Sequence, residues 1–215
     1  MRVACIGYRD WALKIYDRLA AITDHTFLIF RSKAQFNVDA LDDFKPDLVL
    51  FYGWSWLIPD SILDRHTCIM LHPSPLPRYR GGSPIQNQII LGEVSSKVTL
   101  FVMTDELDAG DLVGQLDLSL IGSLSEIFKR MEDAGVELTR NLLEKGLQRE
   151  PQDHSDASYC KRRSPSDSEI TVEELVNKPA EYLYNKIRML ADPYPNAYII
   201  TADGKKLMIT SAHVE

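Results

Sequence analysis

One histidine, four carboxylates and three prolines, all between residues 72 and 111, carry most of the chemical potential of this sequence. The stretch "CIMLHPSPLPRYRGG" (68–82) ends an apolar run on His72 and follows it with Pro73, Pro75 and Pro77, each locking φ and removing a backbone donor. A histidine held in this way has little freedom, as general acid–base work requires. A second stretch, "KVTLFVMTDELDAGD" (97–111), leaves another apolar run and places Asp105, Glu106, Asp108 and Asp111 at its end. A lone histidine is more often a core residue satisfied by backbone, and an acidic loop is more often a solvated turn. Here both follow runs that read as buried strands, and in an open parallel sheet the carboxyl ends of strands form the ligand crevice. If Asp108 meets His72, the two make a carboxylate–imidazole couple able to hold and pass a proton.

The elements that must position these residues follow from the pattern of the chain. Short apolar runs, "RVACIGY", "HTFLIF", "DLVLFYGW", "CIMLH", "KVTLFVMT" and "LVGQLDLSL", alternate with amphipathic segments. That predicts an α/β fold with a Rossmann-like, open, mostly parallel sheet and helices on both faces. Helices are expected from Asp10, with Trp11, Ile15, Leu19 and Ile22 at helical spacing, and from Ser83–Pro84 to Gly92. The longest is expected over 123–145, where Ser123 and Glu126 form a capping box and Gly146 stands past the end. Beyond Glu150 the composition turns polar and irregular, which places a boundary there: a main domain over 1–150, then a small α+β appendix over 151–215. The appendix holds a helix near 179–191 and a hairpin turning on Asp203–Gly204, whose apolar edge makes it a candidate homodimer contact.

Composition narrows the functional classes. A net charge of −7 argues against a binder of nucleic-acid backbone, which usually carries a basic surplus. No stretch approaches the ~20 apolar residues of a membrane span, and the first residues do not read as a signal peptide, so a cytoplasmic protein is expected. Cys5, Cys68 and Cys160 are far apart and read as reduced thiols, and no spacing suits a metal. The first strand is followed by "GYRDWA", without the glycines of a dinucleotide fingerprint, which sets aside nicotinamide and flavin enzymes.

"CIMLHPSPLPRYRGGSPIQNQIILGE" and "KVTLFVMTDELDAGDLVGQL" together resemble the core signature of the folate-dependent formyltransferases, which move a formyl group from 10-formyltetrahydrofolate to an amine. The later "ASYCKRRSPSDSEI" is similar to the region that follows the catalytic domain in the tRNA and sugar branches of that family. The resemblance implies that His72 and Asp108 are the catalytic pair and that 10-formyltetrahydrofolate is the co-substrate, with no metal. It implies that Trp56, Leu57 and Ile58, with Thr104, Asp105, Asp108, Gly110 and Asp111 of the acidic turn, hold the folate. One departure stands out: the family has an asparagine two residues before the histidine, and this chain has Met70. A thioether cannot donate the amide's hydrogen bond to the oxyanion of the tetrahedral intermediate, a loss of about 3 kcal/mol unless a backbone N–H, a water or a side chain such as Asn87 replaces it.

The branch is read from length and charge. A methionyl-tRNA formyltransferase asks for a longer C-terminal region and a basic face, and a glycinamide ribonucleotide enzyme for a glycine-rich phosphate loop after the first strand. A formyltetrahydrofolate hydrolase usually carries an N-terminal regulatory domain. A non-catalytic binding protein would not need both His72 and Asp108. The expected acceptor is therefore a nucleotide-linked amino sugar, such as a UDP- or dTDP-4-amino-4,6-dideoxy sugar destined for surface polysaccharide or nonulosonic acids. Ser74, Arg78, Tyr79, Arg80, Gly81 and Gly82 of the proline loop, with Arg188, are expected to hold it. The expected partners are small molecules, without nucleic acid or membrane.

Overall fold

A computed structural model describes residues 1–191 and 193–215. Its centre is a six-stranded sheet of β1 (Arg2–Ile6), β2 (Thr26–Phe30), β3 (Leu48–Tyr52), β4 (Cys68–His72), β6 (Ser95–Val102) and β7 (Leu112–Ser119), in the order β2-β1-β3-β4-β6-β7. A two-residue β5 (Arg80–Gly81) lies between β4 and β6 in sequence. The pairings from β2 through β4 are parallel, and β6 is antiparallel to both β4 and β7.

Side chains of successive strand residues point to opposite faces, so each central strand feeds two cores. On one face Val3, Cys5, Leu48, Leu50, Ile69 and Leu71 pack against α1 (Asp10–Ile22) and α5 (Leu124–Lys145). On the other, Ala4, Ile6, Val49, Phe51 and Cys68 meet Leu41 of α2 (Val38–Phe44) and Ile62 of α3 (Asp60–Leu63). The capping box of α5 is present, and Leu124, Ile127, Met131, Ala134, Leu138 and Leu142 of its apolar face are buried. In α1 the inward residues are Ala12, Ile15, Tyr16 and Leu19, whereas Ile22 is exposed.

Beyond residue 150 lie β8 (Tyr159–Cys160), α6 (Val172–Asn177), α7 (Ala180–Arg188) and the hairpin of β9 (Ala197–Ile200) and β10 (Lys206–Ile209). Ile170, Ile187, Met189, Leu190 and Ala197 of this segment enter the larger core, and α7 packs on α4 (Pro84–Ile90). β8 pairs in parallel with β5, which ties the linker to the loop that follows His72. That contact is close: a Cβ on Gly82 would lie 2.5 Å from Cβ of Arg162. No helix among the described residues is long and apolar enough to cross a membrane.

Candidate functional site

A cavity of about 880 Å³ opens beside the carboxyl ends of β1, β3 and β4, where the strand order reverses direction around β1. His72 closes β4 at its inner end and is buried. Its Nε2 lies 2.8 Å from the carbonyl oxygen of Tyr79; since a carbonyl only accepts, Nε2 carries the proton. Nδ1 then faces Asp108, at 3.6 Å from Oδ2. Asp108 is also buried, and its Oδ2 accepts a 2.7 Å bond from the Gly81 N–H.

Asp108 does not reach His72 by ending a parallel strand. β6 runs antiparallel to β4, with Val102 level with Ile69, so its carboxyl end lies at the far end of β4 from His72. The loop over 103–111 doubles back to bring the carboxylate to the histidine. Two devices allow this reversal. Gly110 passes so close to β6 that a Cβ there would lie 1.8 Å from the Val102 carbonyl oxygen. Gln152, buried, then donates to the carbonyls of Asp108 and Gly110 at 3.0 and 2.6 Å.

Backbone strain collects at the same place. Tyr79, Ser83 and Asp108 have φ of 61°, 52° and 50°, a left-handed conformation that costs a non-glycine residue roughly 1–2 kcal/mol. Such outliers persist where surrounding structure holds them, and functional sites are where they concentrate.

Unpaired donors collect there too. Trp54 Nε1, Gln86 Nε2 and Arg163 Nε are buried without a hydrogen-bond partner among the described residues, and all three residues line the cavity. Buried N–H groups are normally paired, so each of the three calls for an acceptor, from ordered water or a bound ligand, that the described residues do not supply. An aromatic group stands at the mouth: Trp56 lies 4.8 Å from Tyr8 and 4.7 Å from Trp54 between ring centroids. Cations cover it, with Lys33 Nζ 5.0 Å from the Trp56 ring and the Arg9 guanidinium 4.8 Å from that of Tyr8.

Of the residues singled out by sequence, His72, Asp108, Trp56, Leu57, Ile58, Thr104, Asp105, Gly81 and Gly82 line the cavity. Leu57 is 97 % exposed there. The rest are employed elsewhere. Arg80 is 1 % exposed, and its guanidinium donates to Gln152 Oε1 at 2.6 Å and to the Tyr159 hydroxyl at 3.2 Å, behind the cleft. Arg188 donates to the carbonyls of Leu120 and Gly122, joining α7 to the start of α5, and burial lowers its pKa. Arg78 is exposed 3.9 Å from Asp156, and Ser74 donates to the Arg78 carbonyl. The Tyr79 hydroxyl donates to Glu93 at 2.6 Å; burial first, and that bond second, push the phenol up to about 12. The Gly110 carbonyl is held by Gln152, and the Asp111 carbonyl accepts from the Val102 N–H.

Sequence reasoning missed Arg9, Trp54, Gln86, Arg162 and Arg163, which line the cavity. The signals for them were the ends of the first and third apolar runs, Gly7–Asp10 and Gly53–Ile58, which hold Arg9 and Trp54, and "KRR" at 161–163, a basic run in an otherwise polar linker.

A family model described as formyl transferase matches residues 18–143. Methionyl-tRNA formyltransferase of Syntrophomonas wolfei is 34 % identical over 187 residues, 83 % of this chain and 58 % of that protein. Among solved structures, methionyl-tRNA formyltransferase from Clostridium thermocellum superposes with a TM-score of 0.86 at 28 % identity, covering 97 % of both chains. A sugar N-formyltransferase from Shewanella superposes with a TM-score of 0.78 at 18 % identity over 100 % of this chain and 99 % of that one, a likeness of fold alone. Curated relatives from five organisms, 32–35 % identical, are all methionyl-tRNA formyltransferases, and this chain spans 51–58 % of their length.

These relatives overturn the nucleotide-sugar acceptor and the exclusion of nucleic acid. The physical reason lies in how charge is distributed. A net charge of −7 is an average over the chain and does not describe any one surface: Arg9, Arg162 and Arg163 line the cavity, alongside Asp60, Asp105, Glu106 and Asp108. Arg80 and Arg188, on which the sugar reading leaned, are occupied with the chain's own groups.

Proposed function

The chain belongs to the formyl transferase family, and from that premise we propose that it transfers a formyl group from 10-formyltetrahydrofolate to the amine of methionine carried on tRNA. The observation that carries the reading is the buried His72–Asp108 pair, set in a cleft with three unpaired N–H donors. The names of the curated relatives support the acceptor. Reduced folate and charged tRNA meet in the cytoplasm, the compartment this reading requires.

The residues present fit a folate. A flat heteroaromatic ring system with acceptor edges matches the Trp54–Trp56 aromatic wall and the Trp54 N–H, which has no partner among the described residues. Trp56, Leu57, Ile58, Thr104 and Asp105 would hold it, and when bound it supplies the formyl group in activated amide form.

Transfer forms a bond from the acceptor nitrogen to the formyl carbon and breaks the bond from that carbon to the folate nitrogen; one proton passes from the amine to the departing nitrogen. The amine attacks only when neutral. Asp108, whose Oδ2 is fixed by the Gly81 N–H, collects the amine proton directly or through one water. His72, with Nε2 fixed on the Tyr79 carbonyl, uses Nδ1 as the exchanging nitrogen and, when protonated there, donates to the formyl oxygen as negative charge grows on it. The 3.6 Å separation from Asp108 exceeds a hydrogen bond and leaves the pair to tighten around bound substrate.

The test is an acceptor panel. With labelled 10-formyltetrahydrofolate, label is expected on methionyl-tRNA and neither on free methionine nor on amino sugars linked to nucleotides. Label on none of them, with the folded protein and active co-substrate, contradicts the proposal.

A further inference from the structure

Two buried glutamines on α4 differ in one respect. Gln88 is fully bonded: its amide donates to the carbonyls of Pro73 and Pro84 at 2.9 and 3.0 Å, and its Oε1 accepts from Ser96 at 2.6 Å. Gln86 is 2 % exposed, yet its Nε2 has no partner among the described residues. Gln86 lines the cavity together with His72 and Met70, and Gln88 does not. The Gln88–Pro73 bond pins this helix to the residue after His72, and Gln86, two residues earlier on the helix, lines the same cavity as the histidine.

The reaction needs a donor there. Met70 stands two residues before His72 on the same face of β4 and lines the cavity, but a thioether has no N–H. Asn87 is not available either, since its amide donates to the carbonyls of Gly82 and Lys161 at 3.0 and 3.1 Å. A buried amide left unpaired is costly, and a cleft that retains one has a use for it.

We propose that the Gln86 side-chain amide is a catalytic donor, bonding the formyl oxygen opposite His72 as negative charge grows on it. The inference rests on the formyl-transfer reading above.

Gln86→Met keeps the length of the side chain and removes the donor. Calorimetry on the full chain compares 10-formyl-5,8-dideazafolate, a stable formyl-bearing folate analogue, with the same compound lacking the formyl group. Gln86→Met is expected to weaken the first by roughly tenfold and to leave the second unchanged. With methionyl-tRNA as acceptor, kcat is expected to fall by about 100-fold with KM for both substrates kept. The melting temperature of the free protein should not fall, because an unpaired buried group has been removed. Gln86→Glu, similar in size but without N–H when ionised, should reproduce both losses. An equal loss for the two analogues, an effect confined to the acceptor KM, or kcat within about twofold of the parent overturns the assignment. If the parent transfers nothing to methionyl-tRNA while Gln86→Met still loses the formyl-dependent affinity, the acceptor reading fails and Gln86 keeps its role.

Discussion

Arg80 and Arg163 carry the same group and are treated in opposite ways. Behind the cleft, Arg80 is sealed from water, and its N–H groups reach Gln152, Tyr159 and His154, with Gln152 passing the contact on to the Asp108 turn. On the cleft wall, Arg163 donates to the Asp167 carbonyl with one nitrogen and leaves its buried Nε without a partner. Trp54 and Gln86, also on that wall, share this condition. Folding alone completes the polar groups that hold the frame, and those left incomplete among the described residues line the cleft, where a ligand or water can complete them. The two walls are therefore expected to respond differently to substitution: the back in stability, the front in binding and turnover.

The pair between the walls gives the largest effect. His72→Ala and Asp108→Asn are each expected to lower kcat by about 10³-fold, within the range for a positioned acid–base group, with the fold retained by circular dichroism. Retained activity in either variant would remove that side chain from the catalytic machinery. Next comes the back wall. Gln152→Leu takes the acceptor from two nitrogens of the buried Arg80 guanidinium, leaving it Tyr159 and His154, and strips the donor from two carbonyls of the Asp108 turn, so urea unfolding should show a loss of about 3 kcal/mol. The front wall should do the reverse: Trp54→Phe removes a donor that folding does not use, so stability should hold within about 1 kcal/mol while folate affinity falls. A destabilised Trp54→Phe protein with normal affinity would erase the distinction between the walls.

The smallest effect lies away from the cleft and serves as a control. Glu174 on α6 is drawn upward by burial, but the Lys186, Thr171 and Tyr182 bonds outweigh it and hold its carboxyl below the usual 4.5. A carboxyl depressed in the folded state contributes stability that is full above 4.5 and is lost as pH falls through the lower, folded value. Unfolding midpoints of the parent should decline over that acid range, and those of Glu174→Gln should decline less.

What the sequence disclosed follows the range of the interactions involved. The strand runs and the capping box of α5 are local patterns, and they were legible as such. His72 and Asp108 were singled out through the ends of apolar runs and the family resemblance, and the structure brings them within 3.6 Å, although β6 runs opposite to β4 and the loop doubles back, a direction no local pattern encodes. The two-residue pairing of β5 with β8 depends on a contact between residues 80 and 159, and neither segment has strand character of its own. Gln86 gave no signal because a glutamine in an amphipathic helix looks the same whether its buried amide is bonded, like that of Gln88, or has no partner among the described residues. Arg80 and Arg188 were misplaced because a sequence shows charge but not the carbonyls and amides that absorb it.

Single-turnover transfer from labelled 10-formyltetrahydrofolate shows whether the His72–Asp108 pair moves a formyl group to methionyl-tRNA. The parent should place one formyl group on each methionyl-tRNA and release tetrahydrofolate in equal amount, and Asp108→Asn should bind both substrates but turn over about 10³-fold more slowly. Tetrahydrofolate released without formyl-methionyl-tRNA, or equal rates in the two proteins, would contradict that role for the pair.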